Sequence, residues 1–419
     1  MNYYLIISGL IFLAAVFGYL NVRFLKLPTT IGLMFITLVY TLGVLGLSFF
    51  DDTLLRAEAR LIREIDFEMV LMDYMLSFLL FAGALHTNFQ QLRAHRWPII
   101  AFATLGVLTS TFLIGTATFY LLQLLGAPVA YVYCLLFGAI ISPTDPIAVL
   151  GILKQAEAPK KLEIKIVGES LFNDGVGVVL FLTLFSIASA PGEDIDPLAI
   201  LELFGLEVFG GLLLGLVIGW ITYQLMKSID DFSVEVILTL AAVMGGTVVA
   251  QQFHLSAPLA MVAAGLVVGN DRVRASAMSE TTEQYVDKFW ELIDILLNAI
   301  LFVLIGMEML VLTYEGSYLL AGLLAIPIVL LCRYASLWLP VKVFERKLDF
   351  VPHTDAIMTW GGLRGGISIA LALSLAPEMN REMFLVMTYV VVVFSILVQG
   401  LTIERVIRRL LPGTKVEAL

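Results

Sequence analysis

The chain has 419 residues, of which 60% are hydrophobic and only 14% are Asp, Glu, Lys or Arg. So few charges cannot cover the surface of a water-soluble fold, and so much apolar content excludes disorder. The formal net charge of −10 has no acidic block behind it and argues against nucleic acid as a partner; the two cysteines, Cys134 and Cys332, make neither a disulfide framework nor a Cys-x-x-Cys metal site.

Charge-free runs of about one bilayer thickness recur in chain order. Residues 1–22 lack a basic leader and a small-residue cleavage site, so they read as a retained helix rather than a signal peptide. A second run covers 27–50. The charged segment 51–68 is expected outside the bilayer as an amphipathic stretch. A third run follows at 74–92. Residues 97–144 hold two spans folded at Gly126-Ala127-Pro128, and 175–192 and 208–226 hold one each. Residues 236–270 hold two more, divided near Ser256-Ala257-Pro258. The shorter runs 295–307, 316–332 and 365–377 become spans only if a few charged residues lie inside the membrane. The run 383–403 closes the set. About eight residues follow Leu411, so no cytoplasmic regulatory domain is expected.

Backbone groups cannot go unpaired in lipid, so the spans must be helices; the short alternating segments of a barrel are absent. The expected fold is therefore an all-α polytopic membrane protein with about 13 transmembrane helices, centred near residues 13, 40, 78, 112, 141, 178, 214, 244, 264, 298, 328, 364 and 394. Loop charges support the odd count. Most of the 25 basic residues fall on the even-numbered connections, with Lys154, Lys160, Lys161 and Lys165 forming one cluster and Arg405, Arg408, Arg409 and Lys415 another. The opposite face has only Arg56, Arg60, Arg63 and Arg381, and Arg333 and Arg364 fall inside spans. The excess of positive charge places the N-terminus outside and the C-terminus in the cytoplasm of a cell-membrane protein.

A charge at mid-bilayer costs at least ~2.5–3.5 kcal/mol on insertion scales, so each one marks a candidate site. The candidates are Asp145, Glu169, Asp174, Glu308, Arg333 and Arg364, with Asp294 at the margin. In Ser142-Pro143-Thr144-Asp145-Pro146, two prolines three apart remove two backbone donors and should unwind the helix. Free carbonyls beside a carboxylate make a hard oxygen site suited to a small alkali cation; the alternative is a kinked helix whose Asp145 only caps the second half. In Glu169-Ser170-Leu171-Phe172-Asn173-Asp174, the i,i+4 pairs put all four polar side chains on about half of one helix. Both acids would otherwise be interfacial, near the cytoplasmic end. Trp360-Gly361-Gly362-Leu363-Arg364-Gly365-Gly366 interrupts span 12, because glycine weakens a helix by about 1 kcal/mol per residue relative to Ala. The glycines otherwise serve close helix packing. Spans 5 and 12 are thus the two broken ones. Their offset of seven reverses membrane direction, so spans 1–6 and 8–13 can form inverted-topology repeats, the arrangement of a transporter with a central binding site. The four histidines, His86, His95, His254 and His353, fall at span ends or loops and read as interfacial residues.

These three motifs, in this order on thirteen spans, resemble the monovalent cation:proton antiporter-1 family, the NhaP-type bacterial relatives of the animal sodium/proton exchangers. The resemblance covers essentially the whole chain. It implies that Asp174 carries the ion and the proton, that Thr144, Asp145 and Ser170 help to ligate a sodium ion, and that Asn173 supports them. It also implies that Glu169 forms a structural ion pair with an intramembrane arginine. Arg364 lies next to the carbonyls of the span-12 break, so Arg333 is the expected mate of Glu169. The resemblance further implies a homodimer with an elevator-like motion, built as a single transmembrane unit. Its core elements would lie at about 70–190 and 316–411, with the other spans forming a dimerisation scaffold. One departure stands out: relatives often have an acid in a Phe-Glu-Gly-like position of span 3, where this chain has Phe81-Ala82-Gly83-Ala84-Leu85.

The resulting expectation is secondary antiport of sodium, or lithium, against protons in pH homeostasis. Burial disfavours an ionised Asp174 and a bound cation favours it, so cation and proton compete for one carboxylate. With Asn173 in place of a second acid, exchange should be electroneutral. Beyond the transported sodium and proton no cofactor is expected, and no enzyme activity; no ATP-binding pattern is present. The rivals are potassium/proton antiport, a cation channel, and an intramembrane hydrolase using Asp145 and Asp174 as a dyad.

Overall fold

A computed structural model describes residues 3–63, 65, 67–145, 149, 153, 158–189, 197–312, 315–345 and 350–411. Pro146, Lys154, Arg346, Lys347 and Lys415, which bear on the readings of span 5 and of loop charge, lie outside the described residues. So does the segment after Leu411.

All regular structure among the described residues is helical. Nine helices there are long and apolar enough to cross a bilayer: Ile6–Leu25, Thr29–Leu47, Arg96–Leu124, Lys160–Ser189, Phe204–Met226, Phe232–Gln252, Glu280–Val311, Gly316–Phe344 and Arg381–Leu410. Three shorter apolar helices, Val70–Leu85, Tyr131–Ile141 and Ala257–Val268, join them. The half-helices Thr354–Trp360 and Gly366–Leu373 complete a series of thirteen spans, one at each position expected from the sequence. In chain order these are spans 1 to 13.

Local chemistry sets the boundaries. Gly126, at φ 75°, makes the left-handed turn between spans 4 and 5 that a side chain would strain. Ser256 caps span 9 by accepting a hydrogen bond from Leu259 N, with Pro258 in the first turn. Asp231 caps span 8 through the N–H groups of Ser233 and Val234, and Ser279 caps span 10 through Thr282 N. The charged segment after span 2 is an amphipathic helix, Thr53–Arg63, as its composition suggests. It is tied down by a contact between Glu58 and the Tyr40 hydroxyl, and burial pushes the Glu58 carboxyl above its ordinary value.

Packing follows membrane rules, with small residues where backbones meet. On span 7, Gly215 lies so close to span 9 that a Cβ there would stand 2.0 Å from Ala260 O. The outward faces of spans 7, 8 and 11 carry exposed large apolar side chains, Phe209, Ile237 and Leu331 among them, as lipid contact requires.

The buried side chains form two clusters. The larger joins spans 1, 2, 4, 5, 6, 11, 12 and 13 with the second half of span 10 and Val262 and Leu266 of span 9, while the smaller centres on Trp290 in the first half of span 10, with Phe81, Leu85, Met261 and Val243. Span 3 contributes to both clusters. Leu76, Leu79 and Leu80 belong to the larger cluster, and Phe81, Ala82 and Leu85 to the smaller. The reason is steric: Gly265 and Gly269 of span 9 admit the span-3 backbone, and a Cβ on Gly269 would stand 2.3 Å from Leu85 O.

Candidate functional site

Span 6 carries the central acids. In the sequence a charge-free run starts at 175, and residues 169–174 are expected to open the span with intramembrane charges. The helix instead begins at Lys160, and Asp174 falls at its midpoint. Charged residues between 160 and 165 broke the apolar run; Lys160 and Lys161 stay exposed, but the inward side of this turn is buried. Leu162 and Ile166 are buried, and Lys165 lies inside with its ammonium 3.7 Å from the centre of the Phe350 ring. Glu169, Ser170, Asn173 and Asp174 are therefore all buried in the middle of the protein.

Span 5 is helical to Ile141, and residues 143–145 carry no regular structure. Span 12 breaks between Trp360 and Gly366. The two breaks face each other. Asp145 N donates to Leu363 O at 2.8 Å, Arg364 Nε to Ile141 O at 2.9 Å and Ser368 Oγ to Ile140 O at 2.7 Å. As one chain advances from 140 to 145 its neighbour recedes from 368 to 363, so the crossing segments run antiparallel. Gly365 is needed at this crossing, because a Cβ there would stand 2.3 Å from Asp145 Oδ2.

Polar side chains lock span 5 onto span 6. Asn173 Nδ2 donates to Thr144 Oγ1 at 2.8 Å, Thr144 N to Asn173 Oδ1 at 3.3 Å, and the hydroxyls of Thr144 and Ser170 lie 2.8 Å apart. Asn173 uses both ends of its amide in this clamp, and Thr144 meets both Ser170 and Asn173. These residues hold the unwound strand in place.

The arginines separate cleanly. Arg333 Nη1 stands 2.6 Å from Glu169 Oε1, with both side chains 1% exposed. Arg364 turns instead to carbonyls at the breaks, those of Ile141 and Gly362, and its own N–H donates to Ser395 Oγ. Helix C-terminal carbonyls carry partial negative charge, which the guanidinium offsets.

A narrow cavity of about 40 Å³ opens between spans 3, 5, 6, 10 and 12, lined by Asp145, Asp174, Asn298, Gly83, Gly365 and Ser368 together with apolar side chains. That volume holds on the order of three water-sized occupants. Asp174 faces it and, among the described residues, has no ion-pair partner. Asp145 shares the cavity. No group of three or more His, Cys, Asp or Glu side chains that could hold a metal occurs among the described residues. A cation here would rest on two carboxylates and neutral oxygens. The Phe81–Leu85 segment contributes only Gly83 to the wall, and a Cβ there would meet Leu171 Cδ1 at an ordinary 3.7 Å. Space does not forbid a side chain on this wall.

Asn298 escaped the sequence reading. The signal was the Asp294–Asn298 pair, four apart in an apolar run: Asn298 Nδ2 donates to Asp294 O at 2.8 Å and to Asp294 Oδ1 at 3.0 Å. Among the described lining residues there is no histidine. His86 lies at the end of span 3, 3.9 Å from Asp287, and His254 and His353 occupy left-handed turn positions. His95 lies between two short helices, and partial burial together with the nearby Lys165 and Lys161 hold its imidazole below its ordinary pKa.

Comparison with known proteins places the chain among relatives of one kind. A family profile described as "Sodium/hydrogen exchanger, transmembrane" matches residues 11–409. The chain is 48% identical over 417 residues to the Na(+)/H(+) antiporter NhaP of Pseudomonas aeruginosa, covering 98% of both chains. It is 34% identical over 401 residues to the Na(+)/H(+) antiporter NhaH of Halobacillus aidingensis, covering 93% of both. Among solved structures, the sodium proton antiporter MjNhaP1 from Methanocaldococcus jannaschii at pH 8 superposes with a TM-score of 0.74 over 99% of this chain and 100% of its own. At 18% identity that likeness speaks for the fold.

Proposed function

The chain belongs to the sodium/hydrogen exchanger family, and on that premise we propose that it is a secondary antiporter exchanging sodium, or lithium, for protons at Asp174. One observation carries the reading: Asp174 is buried at the midpoint of a membrane-spanning helix and faces a cavity shared with Asp145, with no cationic partner among the described residues. Sodium is preferred to potassium because each relative named above is called a sodium/proton antiporter.

The mechanism follows from electrostatics. An ionised carboxylate in a dry site is costly, so Asp174 must be protonated or must hold a cation. The two states exclude each other, because a cation favours the ionised form and a proton removes the charge that binds it. Asp145 adds a second oxygen donor group. Thr144, Ser170 and Asn173 keep the unwound strand in register, so ligand oxygens need not be gathered at each cycle. The Glu169–Arg333 pair and Arg364 offset structural charges nearby. One titrating acid per cycle, with Asn173 as its neutral neighbour, makes the exchange one cation for one proton and electroneutral.

The rest of the reading is architectural. The protein works as a homodimer in the cytoplasmic membrane, with the N-terminus outside and the C-terminus inside. The core elements at about 70–190 and 316–411 move as an elevator against the other spans, which form the dimerisation scaffold. No cofactor and no chemical catalysis are involved.

The test is a pH-jump assay in proteoliposomes with each alkali cation in turn. Sodium and lithium should dissipate an imposed proton gradient, potassium should not, and an imposed membrane potential should leave the rate unchanged. Exchange driven equally by potassium, or a potential-driven pH gradient at equal sodium, would overturn the ion assignment or the stoichiometry respectively.

A further inference from the structure

The cavity at Asp174 has two unlike walls. The side formed by spans 5, 6 and 12 supplies Asp145, Asp174 and Ser368, whereas span 3 supplies only Leu71, Leu76, Leu79, Leu80 and Gly83. From span 10, Asn298 and Leu301 reach it. Asn298 is thus the one polar side chain among the described lining residues of spans 3 and 10. It is 5% exposed, and burying an amide among leucines is costly unless the amide is used.

The amide has a determined orientation. Both groups that Asn298 touches on Asp294, the backbone oxygen and the carboxylate Oδ1, are acceptors, at 2.8 Å and 3.0 Å. Only the NH₂ end can face two acceptors, and its two hydrogens are then both engaged. The carbonyl end is turned away from Asp294. Hard cations gather on the order of six oxygens. Two carboxylates supply at most four, so an oxygen from the facing wall has a use.

We propose that Asn298 Oδ1 is a ligand of the transported cation, and that Asp294 is its positioning residue, holding the NH₂ end so that the carbonyl faces Asp174 and Asp145. The inference rests on the antiport reading above and deepens it. A carbonyl oxygen coordinates a cation and does not take up a proton at neutral pH, so this ligand favours one competitor over the other. It also comes from a different helix than either carboxylate: span 10 supplies Asn298, whereas spans 5 and 6 supply Asp145 and Asp174. A bound cation therefore links span 10 to spans 5 and 6, and a proton on Asp174 does not.

The experiment measures sodium-driven proton flux and sodium-induced thermal stabilisation for wild type, Asn298→Ala and Asn298→Asp in parallel. Loss of one charge-assisted oxygen contact predicts an apparent KM for sodium raised about tenfold or more in Asn298→Ala. The maximal rate should fall far less than KM rises, and at fixed sodium, proton inhibition should move to higher pH. Asn298→Asp keeps an oxygen at the same reach but loses the NH₂ end that Asp294 holds, so its KM should fall between those of wild type and Asn298→Ala and its sodium-induced thermal shift should be smaller than that of wild type. An Asn298→Ala KM within twofold of wild type overturns the proposal. Should the alanine variant not fold, an unchanged sodium-induced thermal shift in Asn298→Asp overturns it equally. A wild type that shows no sodium-driven proton flux would defeat the antiport reading itself, whereas a transporting wild type with silent Asn298 variants defeats only this inference.

Discussion

Glu169 and Asp174 are five residues apart on one helix, and both are carboxylates with almost no exposure. Glu169 meets Arg333 at 2.6 Å, while Asp174 meets a cavity. The difference teaches how a membrane protein sorts buried charge into structure and function. A paired charge holds helices together and is costly to strand; an acid left facing a cavity must take its counter-charge from solution, as a proton or a cation.

The contrast makes opposite forecasts for the two acids. Asp174→Asn should abolish exchange, leaving less than about a tenth of the wild-type rate, the loss expected when the shared carrier is removed. Its thermal midpoint should equal or exceed the wild-type value, since a neutral amide replaces an acid that lacks an ion partner among the described residues. Glu169→Gln and Arg333→Gln should each lower stability by about 3–5 kcal/mol, because each strands a buried charge. Their double mutant should recover part of that loss in a thermal-denaturation cycle. Strictly additive losses would break the comparison, as would an Asp174→Asn protein as unstable as Glu169→Gln.

A subtler probe is Gly365→Ala. Its Cβ would stand 2.3 Å from Asp145 Oδ2, so the carboxylate must shift away from the crossing point. The expected result is a several-fold weaker apparent affinity for sodium, with overpacking costing about 1–3 kcal/mol in thermal stability. An unchanged affinity would show that Asp145 does not act through its side chain at this position.

The smallest effect concerns a histidine away from the cavity. The His95 imidazole is held below its ordinary pKa by burial, with Lys165 and Lys161 adding to the effect. The folded state therefore resists protonating it, and the unfolded chain does not. Stability should fall as pH drops from about 6.5 toward the lower folded value, because the unfolded state takes up the proton first. His95→Gln should flatten that slope in thermal scans at graded pH while leaving sodium affinity untouched. An unaltered slope would mean that His95 does not contribute.

Much of this protein is determined by its sequence alone. The number and position of the thirteen spans follow from the length of apolar runs, since lipid forbids any other way of pairing the backbone. The turn at Gly126 and the cap at Ser256 are equally local, because each depends on one residue's conformational or hydrogen-bonding preference. That spans 5 and 12 are broken follows from Pro143 and from the glycines around Leu363. Other features belong to the tertiary structure. The full length of span 6 was hidden by the charges at 160–165, of which Lys160 and Lys161 stay exposed while Lys165 enters the fold against the Phe350 ring. The divided loyalty of span 3 depends on how closely Gly265 and Gly269 let another backbone approach, a matter of contact rather than of composition. Asn298 was least visible of all. A single amide in an apolar helix acquires meaning only when packing turns its carbonyl end toward an acid more than a hundred residues away in the chain.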